Sequence, residues 1–128
     1  LRHLEAALFA TPGAAPELFA RLRQLAAAAA DLGTRLTGDE VRGRLNEPAV
    51  PSIAERVGQV VGGLLGTRQP PTRTQRRSLE IARDAFAELT SELRALLEDD
   101  LPAFEAELEA AGAPPTPGRA LPPRAGDG

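Results

Sequence analysis

His3 is the only histidine in the 128 residues, and Cys, Met, Trp and Tyr are all absent. A single imidazole near a chain end has no second ligand and no Ser-base partner beside it, so the usual zinc sites and catalytic triads lack their parts. Without Cys there is no disulfide framework, thiolate nucleophile or Cys-ligated metal. Every basic side chain is Arg, which removes Schiff-base and P-loop lysine chemistry as well. No catalytic, cofactor-binding or metal-binding residue is therefore assigned.

Two groups of charges need weighing. Glu98, Asp99, Asp100, Glu105, Glu107 and Glu109 form an acidic stretch without a basic residue. A carboxylate pair can hydrolyse a glycoside, but here no Trp or Tyr platform accompanies it. These acids fall outside the apolar stripe, where solvated charge belongs, and Asp99 and Asp100 suit the backbone dipole at a helix start near Pro102. The second group is Arg68, Arg73, Arg76 and Arg77. Three of these fall in the first turns of a helix, where the dipole disfavours cations. Glu80 lies four residues after Arg76 and three after Arg77, which relieves them in part. Either Glu47, Glu55 or Asp39 folds over this end, or the end faces an acidic surface outside the domain.

The elements that carry these residues read as helices throughout. Leu1, Leu4 and Leu8 share one stripe of a short first helix, ended by Thr11-Pro12-Gly13. Pro16 suits the first turn of a second helix. Leu18, Leu22, Leu25, Ala29, Leu32 and Leu36 then alternate spacings of four and three, and Gly38 offers a left-handed end after roughly 20 to 22 residues. Asp39 to Asn46 is expected to make one helical turn with Val41 and Leu45 inward, followed by an extended Pro-containing connector.

Ser52 and Glu55 form a capping box that opens a third helix, with Ile53, Val57, Val60, Val61 and Leu64 on its apolar side. Thr72 and Gln75 repeat the device for a fourth helix, expected to run to about Asp99. Its seam is Leu79, Ala82, Phe86, Leu89, Leu93 and Leu96. The stripe then slips by one to Leu97, Leu101, Phe104 and Leu108. Pro102 is expected to break or kink the helix there, with Asp100 capping a new one that ends at Gly112. Gly58, Gly62 and Gly66 recur every four residues on the third helix. Each costs about 1 kcal/mol relative to Ala, so close helix–helix approach is expected to offset it, with a hinge or a partner groove as the alternatives.

The fold expected is all-α: an antiparallel bundle of four to five helices over residues 1–112, with a Pro/Gly-rich extended tail over 113–128. A net charge of −3 and the lack of interleaved aromatics argue against nucleic acid. No stretch reaches the ~20 apolar residues of a membrane span. Because the first residue is Leu1, the chain is expected to be cut from a longer protein.

Three segments, RLNEPAVPSIAERVGQVVGG, GTRQPPTRTQRRSLEIARDAF and LEDDLPAFEAELEAAGAPPTPGR, together resemble the C-terminal region of large bacterial exported proteins with BNR-type, sortilin-like β-propeller repeats, often described as glycosyl hydrolases. The similarity spans about Arg44 to Arg119. It implies a helical domain that follows a propeller, in a secreted or periplasmic protein. It transfers no site residue, because the working residues of sialidase-like propellers sit on blades. Family members often carry an aromatic after the Gly-Gly of the third helix and a Trp near the final Pro; here those places read Leu64-Leu65 and Ala113-Pro114-Pro115.

The expected function is that of a non-enzymatic accessory domain, without cofactor, that docks onto the upstream domain of its parent or stabilises it. A self-assembly module binding a second copy is the alternative, since 3–4 seams also pack between chains. Catalysis by residues of the parent outside this chain is a remote third. The candidate contact residues are Arg68, Arg73, Arg76 and Arg77, and the Gly58/Gly62/Gly66 face.

Overall fold

A computed structural model describes residues 1–39, 43–44, 48–66 and 70–117. The expected turn carrying Val41 and Leu45, residue Arg68, and the tail from 118 onward lie outside the described residues. The fold is all-α, with no strand among the described residues. The helices are α1 (Arg2–Phe9), α2 (Pro16–Thr37), α3 (Ile53–Leu65), α4 (Arg73–Ala95) and α5 (Leu101–Ala110), with a π turn over Leu96–Asp100.

Their ends follow local chemistry. At α3 the Ser52 N–H donates to Glu55 Oε2 at 2.7 Å and the Glu55 N–H donates to Ser52 Oγ at 3.2 Å. At α4 the Thr72 N–H donates to Gln75 Oε1 at 2.8 Å and the Gln75 N–H to Thr72 Oγ1 at 3.2 Å. Both capping boxes are complete, so each helix start has two orphan donors satisfied. Helix α2 stops where Gly38 turns left-handed at φ 96°. Helix α5 closes in a Schellman motif: Gly112 has φ 77°, its N–H reaches the Glu109 carbonyl, and the Ala113 N–H reaches that of Leu108. Beyond it residues 113–117 form neither helix nor strand, and Thr116 among them is buried.

The expected break near Pro102 takes another form. The chain stays helical through Leu96–Asp100 in a π turn, and Asp100 has helical dihedrals (φ −70°, ψ −45°) with no capping bond from its side chain. A π turn admits one extra residue, which rotates everything after it by about 100°. That rotation is the one-residue slip of the apolar stripe. Pro102 follows directly on this turn as the second residue of α5.

The chain divides into two compact units. One comprises Leu1–Ala26 with the described residues from Leu97 on. Here α1 packs against α5. Leu8, Phe104 and Leu108 are its most deeply buried side chains, joined by Leu4, Leu18, Leu22 and Leu25. Thr11 is buried too, its hydroxyl donating to the Ala7 carbonyl at 2.7 Å. Phe9 and Phe19 meet edge-on with ring centroids 5.4 Å apart.

The other unit is Ala27–Leu96, in which α3 packs on α4 and Val60, Ala82 and Leu89 are buried. The C-terminal half of α2 is tied to α4 by a two-pronged ion pair: Arg35 donates to the two carboxylate oxygens of Glu92 at 2.6 and 2.8 Å. Hydrogen bonding to Arg35, then its charge, holds the Glu92 carboxyl below its ordinary value of 4.5, and the Arg35 guanidinium is pushed further up by the same bonds. A depressed carboxylate stabilises the fold above its unfolded pKa, and that stabilisation is lost as pH falls through the folded value. Stability is therefore expected to decline below the ordinary carboxylate value of 4.5. Glu92→Gln should make that decline shallower in urea melts across the acid range, leaving the remainder to groups such as Glu55.

Candidate docking groove

Helix α4 carries its apolar residues at heptad spacing in two rows: Leu79, Phe86 and Leu93, and Ala82, Leu89 and Leu96. The two rows meet different fates. Ala82, Leu89 and Leu96 are buried, whereas Leu79, Phe86 and Leu93 stay 38%, 51% and 39% exposed. On α3 only Val60 is buried, while Val57 and Val61 stand open. The apolar side expected for α3 is thus mostly uncovered. The reason is geometric: a seam with two rows has two flanks, and the neighbouring helices fill only one flank of α4.

Between the open residues lies a groove of about 1010 Å³, floored by Ile53, Val57, Val61, Leu79 and Phe86, with Leu36 at its α2 side. Gly58 forms part of its wall. Arg76, Glu80 and Arg83 stand at its rim. Glu80 is held by Arg77 at 3.1 Å and Arg83 by Asp84 at 3.0 Å. Arg76 makes no ion pair among the described residues, so the rim carries net positive charge.

The four-residue glycine repeat does not mark a close helix crossing. A Cβ placed at Gly58 or Gly62 would meet no atom within 4 Å, and one at Gly66 would meet only the Gly62 carbonyl, at 3.8 Å. The close approach occurs at Gly63 instead, whose added Cβ would lie 2.7 Å from Gln75 Nε2 of the α4 capping box. Helix rotation explains this: Gly63 is about 100° around from Gly62 and turns toward α4. Gly62→Ala should consequently stabilise this unit by about 0.8–1 kcal/mol through helix propensity alone, read as a raised thermal midpoint.

The arginines separate. Arg76 faces the groove, while Arg73 and Arg77 line a different, smaller cleft together with Arg56 of α3. Of the carboxylates considered for covering this end, Glu55 is committed to its own capping box, and Glu47 lies outside the described residues. Sequence spacing brought out neither Arg56 nor Arg83 as part of a site, because helical periodicity relates residues within one helix and not between two.

His3 lies exposed on α1. Of the acidic stretch, Glu98, Asp99, Asp100, Glu107 and Glu109 are exposed, Glu105 is half-buried, and Glu107 pairs with Arg21 at 3.4 Å. Among the described residues no group of three or more His, Cys, Asp or Glu is placed to hold a metal. No described helix is long and apolar enough to cross a membrane. No family model, curated protein or solved structure matches the chain.

Proposed function

We propose that this chain is a non-enzymatic docking domain whose α3/α4 groove receives an amphipathic helix with acidic flanks. The observation that carries the reading is the half-covered heptad seam. Leu79, Phe86 and Leu93 present one row of knobs that is only partly covered, and knobs-into-holes packing completes such a row with another helix. The charge on the rim selects the partner. Arg76 and Arg83 flank the row at the positions where paired helices exchange ion pairs, so acidic residues beside the incoming seam are favoured.

The same flanks argue against a second copy. An antiparallel α4–α4 pairing sets this arginine-bearing flank against its own copy, and a parallel one brings Arg83 near Ser78, so neither relieves the charge. The resemblance of Arg44–Arg119 to the C-terminal regions of exported β-propeller proteins makes the rest of such a protein the candidate bearer of the helix, in a secreted or periplasmic setting. In this reading the helices pair antiparallel as a bundle and the chain contributes contact without bond-making chemistry, as its lone His and lack of Cys and Lys suggest.

A labelled peptide with Leu at its a and d positions and Glu at e and g serves as probe, beside a twin with Lys at e and g. Saturable binding of the Glu peptide, weaker binding of the Lys twin, and loss of binding on Gly58→Leu with helicity retained is the expected result. A Cβ added at Gly58 meets no atom within 4 Å, so the leucine adds its bulk to the groove wall. Equal indifference to both peptides would reject the docking reading. A concentration-dependent dimer in sedimentation, disrupted by Gly58→Leu, would replace it with self-assembly.

A further inference from the structure

The face of α4 about half a turn away from the groove carries Arg73, Thr74, Arg77, Ser78 and Ile81, and Arg56 reaches the same place from α3. These six residues line a cleft of about 400 Å³. No carboxylate is among them. Arg77 gives one N–H to Glu80 at 3.1 Å, on the exposed surface, which leaves the rest of its fork available. Arg56 is half-buried, and neither it nor Arg73 forms an ion pair among the described residues. Three cations converging on one cleft repel one another, and at the first turns of α4 the helix dipole adds to that repulsion. Apart from Glu80 on Arg77, the three cations have no counter-charge among the described residues.

We infer that this cleft binds a multiply charged tetrahedral oxyanion, a phosphoryl group. A guanidinium offers two parallel N–H donors that match the oxygens of such a group, and it is held charged at all relevant pH values. The hydroxyls of Thr74 and Ser78 add two further donors to the same cleft. A side-chain carboxylate has one charge and two oxygens, too few for three guanidiniums and two hydroxyls. A phosphoryl group carries up to two charges and three free oxygens, which is the better match.

The test titrates the full chain with sodium pyrophosphate at constant ionic strength, with chloride as the balancing anion, followed by calorimetry and thermal melting. Saturable binding and a raised melting midpoint are expected. Arg73→Gln, Arg77→Gln and Arg56→Gln should each weaken binding by about tenfold. Arg83→Gln, on the groove side of α4, should leave binding unchanged, and so should Gly58→Leu, which separates this site from the docking reading. Arg73 is exposed, so its variant reports on binding even if Arg56→Gln fails to fold.

Co-sedimentation with phosphatidic acid vesicles, against phosphatidylcholine vesicles, identifies the carrier. Arg73-dependent capture assigns a lipid headgroup, and pyrophosphate binding without capture assigns a soluble oxyanion; both uphold the site. Non-saturable titration, or the same loss on Arg83→Gln as on Arg73→Gln, would show diffuse attraction and overturn it.

Discussion

Phe104→Ala should destabilise the unit built from Leu1–Ala26 and the described residues from Leu97 on by about 3–5 kcal/mol. Phe104 is fully buried at 0% exposure, as is Leu8, with Leu108 one turn further along α5. Truncation removes the transfer free energy of the ring and leaves a cavity that short helices relax only partly to fill. Helix α1 has eight residues, and a helix of that length does not persist without tertiary contacts. The loss should therefore appear as melting of this unit's helices, seen in urea titrations followed by circular dichroism. Phe104→Leu should recover most of the stability, since it refills much of the space. An unchanged midpoint for Phe104→Ala would mean that the ring is not part of a core.

The second large effect contrasts two positions three residues apart on α4. Leu89→Asp places a carboxylate at a site only 4% exposed. An uncompensated buried charge belongs to the upper tail of single-residue effects, upward of about 4 kcal/mol. Phe86→Asp, at 51% exposure, should cost no more than about 1 kcal/mol. Thermal melts of the two variants side by side decide the matter. Equal losses would mean that both rows of the heptad are covered, and the open groove would not exist.

That contrast marks the limit of what periodicity conveys. The seam from Leu79 to Leu96 is legible in the sequence because apolar residues at 3–4 spacing fall on one stripe of a helix whatever surrounds it. Which row of the stripe is covered depends on where the neighbouring helices lie, and periodicity within α4 does not dictate that. The glycine repeat misled for a related reason. Its spacing is real, but a small residue marks a close crossing only where another helix passes, and α4 passes at Gly63. Arg56 joined Arg73 and Arg77 only through the packing of α3 on α4. The slip after Leu96 was visible as a change of stripe, whereas its form, a π turn in place of a capped restart, shows only in the structure.

By itself, then, the order of residues decided the all-α class, the two capping boxes at Ser52 and Thr72, and the glycine ends at Gly38 and Gly112. Each of these is settled by groups within a turn or two of one another: a hydroxyl beside an unpaired N–H, or a backbone free of a Cβ. It also removed thiolate and lysine-amine chemistry from this chain, which has no Cys and no Lys. Tertiary structure alone decided which apolar rows are covered, which arginines share a cleft, and which glycine meets a neighbour. Those outcomes depend on atoms far apart along the chain, and the distances between them are set by packing.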